Sequence, residues 1–93
     1  MNNELLEWIA ERLSGIMRSY RNKHHHMDVS RKFMNDFVDK VDLLSIEERE
    51  DLIKKLDTWI KTSVVGESDF SKDKDEATIL EGLLGTMIGI IEG

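Results

Sequence analysis

The chain predicts an all-α domain, a compact four-helix bundle that is antiparallel with short links. Three observations carry that expectation. There is no proline in 93 residues, so nothing interrupts a helical hydrogen-bond ladder. Apolar residues recur every three or four positions in four separate stretches, the helical period. The links between those stretches are mostly short and polar, which favours antiparallel neighbours. A chain of this length supports one core, so residues 1–93 are read as a single domain. Apolar residues at 40% and charged residues at 34% fit a folded domain rather than a disordered one.

The first helix is expected from Glu4 to Asn22. Leu5, Ile9, Leu13, Ile16, Met17 and Tyr20 share one face, and Glu4, Glu7, Glu11 and Arg18 the opposite one. Asn2 or Asn3 can cap its start, and Arg18, Arg21 and Lys23 sit where the helix dipole favours cations. The second helix is expected from Val29 to Leu43, with Asp28 as N-cap. Its stripe is Val29, Phe33, Phe37, Val41 and Leu44, widened by Met34 and Val38.

Ser45 and Glu48 form a capping box that starts the third helix. Leu52, Ile53, Leu56, Trp59, Ile60 and Val64 line its apolar side. Glu50–Lys54, Asp51–Lys55 and Asp57–Lys61 are acid-then-lysine pairs one turn apart. Residues 66–74 read as a polar loop in which Phe70 can pin the chain to the body. The fourth helix starts near Asp73 or Asp75 and runs to Ile91, with Asp73 and Glu76 as a second capping box.

That last helix is the unusual one. Leu80, Leu83, Leu84, Met87 and Ile91 fill one broad side, while Gly82, Gly85 and Gly89 cluster on another beside Thr78 and Thr86. Glycine within a helix costs about 1 kcal/mol relative to alanine, so three together call for a compensating close approach. Gly85-x-x-x-Gly89 has the spacing of a close helix pair. Two arrangements answer it: the glycines pack against a bulky neighbour within the bundle, or they form a seam with another copy or partner.

The segment Gly82–Gly93 also resembles the fusion peptide of influenza-type haemagglutinins. The likeness rests on the spacing of Gly82, Gly85, Gly89 and Gly93 together with Leu83, Ile91 and Glu92. Such peptides insert obliquely into membranes, with a glycine ridge opposite a bulky face. The chain departs from them in placing the segment last, and the likeness is confined to that segment. It is read as a shared solution to helix packing rather than kinship, with lipid contact through residues 79–93 as one alternative function.

Composition narrows the function classes. Without cysteine there is no disulfide, thiolate metal site or thiol nucleophile. The start of the chain is acidic and no apolar run reaches about twenty residues, so a cytoplasmic protein is expected and membrane attachment disfavoured. Net charge is −6, yet Arg12, Arg18, Arg21, Lys23, Arg31 and Lys32 gather in one stretch opposed only by Asp28. The acidic whole and the lack of a basic recognition helix argue against nucleic acid. No phosphate loop, nucleophile elbow or metal-ligand helix motif is present, so no catalytic residue, metal or cofactor is expected. His24, His25 and His26 read as a solvated turn, because adjacent histidines point in different directions.

Two surfaces remain for partners. Trp8, Arg12, Gly15 and Ser19 form a strip beside the core face of the first helix, and Arg12 is placed to lie over the Trp8 ring. Trp and Arg are the residue types most often found at binding hot spots. Asp36, Asp39 and Asp42 recur every third residue, as a wet helix face or as a surface for a basic partner. The expectation is a non-enzymatic protein-interaction protein, an adaptor, inhibitor or immunity-type regulator. Its candidate partner-binding residues are Trp8, Arg12, Gly15, Asp36 and Asp39. Self-association through Gly82, Gly85 and Gly89 is the structural alternative.

Overall fold

A computed structural model of the chain describes residues 3–22 and 26–93. The suggested Asn2 cap, Lys23 and the histidines at 24 and 25 lie outside the described residues, as does the side chain of His26. Four helices form: α1 Asn3–Arg21, α2 His26–Val41, α3 Ile46–Thr62 and α4 Lys74–Glu92. A two-stranded hairpin, β1 Val64–Val65 and β2 Ser68–Asp69, joins α3 to α4. The fold is an all-α four-helix bundle with this one small sheet.

The helices take the spatial order α1, α2, α4, α3, with α3 against α4 as the most extensive contact. Leu5, Ile9, Leu13, Ile16 and Met17 of α1 face Phe33, Phe37 and Val41 of α2 in one core. Leu52, Leu56 and Trp59 of α3 and Leu80, Leu84, Met87 and Ile91 of α4 complete it. Each buried Leu or Ile contributes about 1.5–3 kcal/mol, and these faces set the helix orientations. On the fourth side of the ring α1 and α3 approach each other least closely, and concavities open between them. The hairpin fills part of that gap. Val65 is buried, Ser14 Oγ lies 3.2 Å from Ser68 Oγ, and Gly66 sits against Ala10.

The hairpin corrects the expectation that Val64 extends the α3 stripe. Ser63 adopts φ 57°, and its N–H donates to the Trp59 carbonyl, which closes the helix before Val64. Val64 and Val65 then pair with Asp69 and Ser68 across a turn in which Gly66 takes φ 59°. A β-branched residue there would be strained, so glycine makes this turn possible. Phe70 anchors the loop as expected: it is buried, and its N–H donates to the Ser63 carbonyl at 2.8 Å.

Helix starts differ in detail. α2 begins at His26, so Asp28 lies in its first turn rather than at its cap, where its charge still favours the helix dipole. The Ser45–Glu48 capping box forms in both directions, with Glu48 N–H donating to Ser45 Oγ at 3.1 Å and Ser45 N–H to Glu48 Oε1 at 3.0 Å. Those contacts, the Ser45 N–H foremost and its hydroxyl second, hold the Glu48 carboxyl below its ordinary pKa. A depressed carboxylate pKa stabilises the fold at neutral pH, and that contribution is lost as pH falls through the lowered value. Ser45→Ala is expected to cost about 1 kcal/mol, read as a shift of the urea midpoint without a change of slope.

The second predicted capping box is only half made. Asp73 accepts from the N–H groups of Asp75 and Glu76, but Glu76 does not reach back. Its nearly buried carboxylate instead takes two hydrogen bonds from Arg21, Nε at 2.7 Å and Nη2 at 3.2 Å. This bidentate pair ties the end of α1 to the start of α4 and raises the Arg21 pKa, the hydrogen bond being the main cause. Of the three expected acid–lysine pairs on α3, Asp57–Lys61 alone forms among the described residues, at 2.9 Å.

Candidate functional site

At one end of the bundle the N-terminal half of α1, the last turns of α2 and the start of α3 converge around Trp8. The indole is half-buried and stacks on Phe33 of α2, with centroids 5.2 Å apart and planes at 28°. Phe33 in turn stacks on Phe37 at 6.0 Å, so an aromatic ladder runs from the surface into the core. Two cations face the same indole. The Arg12 guanidinium lies 5.8 Å from its centroid, as the one-turn spacing predicts, and the Lys40 ammonium lies 4.7 Å away. A ring and two cations thus fix the position of the indole within the folded chain.

Two concavities of about 420 Å³ each open beside Trp8. One is lined by Glu4, Leu5, Lys40, Leu44 and Glu48, the other by Asp36 and Asp39, and Trp8, Lys40 and Leu43 border both. Leu43, which borders both, is 85% exposed, and Ile46, three residues further along the chain, is 77% exposed. Asp39, Asp42 and Glu47, also exposed, lie close to them in the chain. Exposed apolar and acidic side chains thus share the segment 39–47, whose Leu43 borders the Trp8 concavities.

The structure therefore brings Trp8, Arg12, Asp36 and Asp39 into one region. Gly15 is not among the residues lining either concavity, and a Cβ there would meet nothing within 4 Å. Trp8 packs at the edge of the core, against Phe33 of α2. Sequence reasoning missed Lys40, Leu43 and Ile46. A signal for the last two exists: Leu43-Leu44-Ser45-Ile46 puts three bulky residues across a chain reversal, and they cannot all face inward.

The second surface is the outside of α4. Its buried residues are Leu80, Leu84, Met87, Ile91 and the paired Glu76. Thr78, Glu81, Gly82, Gly85, Thr86, Gly89 and Glu92 are exposed along the opposite face. A Cβ at Gly82, Gly85 or Gly89 would meet nothing within 4 Å. The expectation that these glycines pack against a bulky neighbour of the same bundle is not met. They are the wet face of the helix, and the bulky side resembling a fusion peptide is turned inward.

Among the described residues no group of three or more His, Asp or Glu is placed to hold a metal ion. No described helix is long and apolar enough to cross a membrane. No protein-family model, curated protein or solved structure matches the chain.

Proposed function

We propose that the chain is a non-enzymatic interaction protein, of the adaptor, inhibitor or immunity-type regulator class, that occupies the surface of another protein with its Trp8 end. One observation carries this reading: Leu43, 85% exposed, borders the concavities at a Trp8 ring already stacked on Phe33, in a segment that also exposes Ile46 and the acids Asp39, Asp42 and Glu47. Single exposed apolar residues are ordinary, but two within one turn-and-helix segment, one of them bordering an aromatic floor, have the composition of an interface core. The partner would offer an apolar pocket for Leu43 and Ile46, with basic residues opposite Asp36, Asp39, Asp42 and Glu47. The acids would then speed encounter and set orientation, while the apolar contacts hold the complex.

The test is affinity capture from the native host with the wild type and with Leu43→Glu/Ile46→Glu. Both side chains are exposed, so the double variant should unfold within about 0.5 kcal/mol of wild type. A partner held by the wild type should be lost by the variant. If an equally stable variant retains every captured protein, this surface is not the one used.

A second reading is self-association through α4, favoured by the bare glycine face. A helix without side chains on one strip lets another backbone approach closely. Sedimentation of the wild type beside Gly85→Leu tests it: a dimer is expected for the first and a monomer for the second. Two monomers at high micromolar concentration would remove this reading.

A further inference from the structure

The open fourth side of the bundle is a second, separate groove. Two adjoining concavities of about 520 and 390 Å³ run between α1 and α3 and share Leu6, Lys55 and Thr58. Leu6, Ala10, Trp59 and Val64 supply the apolar part of the lining. Along α1 the lining runs from Asn3 to Ala10 while along α3 it runs from Asp51 to Thr62, so the two walls point the same way. The α3 wall is about 16 Å long, three turns of helix. The hairpin stops the groove at its Val64–Gly66 end.

The walls differ in charge. Glu7 stands on the α1 side. Lys54 and Lys55 stand on the α3 side, and neither forms an ion pair with Glu50, Asp51 or any other described carboxylate. Asp51 adds one acid at the open end.

We infer that this groove receives one amphipathic helix from another protein, with an apolar strip flanked by an acidic edge over Lys54 and Lys55 and a basic edge over Glu7. The helix would take the place that direct α1–α3 packing leaves open, the helix-in-groove mode of recognition. A second copy of this chain is a poor occupant. Most of its stripe residues are buried, its exposed large apolar residues (Val29, Val38, Leu43 and Ile46) are spread over two helices and a turn rather than along one helix, and the exposed face of α4 offers glycine, threonine and glutamate. This site involves other residues than Leu43 and Ile46, so it stands or falls independently of the function proposed above.

The probe is a designed sixteen-residue peptide with leucine at helical spacing, glutamate along one flank and lysine along the other. It is titrated into the full chain and followed by amide NMR. Shifts are expected at Leu6, Ala10, Thr58 and Thr62, and they should persist in Leu43→Glu/Ile46→Glu. Lys54→Glu/Lys55→Glu should weaken binding about tenfold, and a peptide with lysine on both flanks should restore it, because the wall has changed sign. Thr58→Trp, at an exposed position on the wall, should fill the groove and abolish binding. Binding unaffected by either variant, or shifts elsewhere, would overturn the inference. So would two other results: the same amides shifting with concentration of the chain alone, which marks a second copy, or shifting with dodecanoate and not with the peptide, which marks a lipid site.

Discussion

Replacing Gly82, Gly85 and Gly89 together with alanine is expected to stabilise the monomer by about 2–3 kcal/mol. All three are exposed within α4, and a new methyl group at each finds open space. The gain comes from the unfolded chain, which has more conformations to lose at glycine than at alanine. For a domain of this size it corresponds to roughly 10–20 °C in Tm. The measurement belongs at low protein concentration, because a dimer seam would stabilise the wild type by mass action and mask part of the effect. A Tm that is unchanged or lower would mean that the face is not open in the folded monomer. The same triple variant then bears on the reason for the glycines. If it is more stable yet loses a wild-type dimer, the ridge is held bare for close backbone contact.

Phe33→Ala should have the opposite effect, a loss of about 3–5 kcal/mol. Phe33 is 3% exposed and stacks on both Trp8 and Phe37. Total stability for 93 residues is roughly 5–14 kcal/mol, so this one substitution removes a large fraction of it. Its second consequence is local. Trp8 loses its stacking partner, so Trp emission should shift to the red and near-UV circular dichroism should fall. Phe33→Leu separates the two effects. It keeps most of the volume and costs about 1.5 kcal/mol or less, yet it removes the ring stack. A Phe33→Leu variant with unaltered Trp8 emission would mean that the indole is not positioned by the ladder.

The fold was largely legible because its helices carry strong local signals. The Ser45 box, the Asp73 cap and the α1 and α4 stripes each decide locally what the chain does, and each is found where the pattern puts it. The hairpin was hidden by composition. Val64 continues the α3 period, and only the left-handed turn at Ser63 takes it out of the helix. Glu76 was misassigned for a related reason. Its spacing fits a capping box, but a long-range partner, Arg21, competes for the same carboxylate and takes it.

The site was legible in part. Trp8 and Arg12 are neighbours within one helix, so their stacking follows from spacing. Lys40 reaches the same ring from another helix, a contact that periodicity does not encode. The α4 glycines show the limit most clearly. The bundle covers the bulky side of this helix. That leaves the glycines outward, where a helix projection could equally have placed a neighbour.

The function proposed above requires that the end of the bundle bearing Leu43 and Ile46 be occupied by another protein. A photo-crosslinking amino acid placed at position 43 of the full chain, activated in the native host, tests it most directly. The expected adduct is heavier than the chain by the mass of a different protein, with the attachment point beside basic residues. No adduct, or one of twice the chain's own mass, would contradict it.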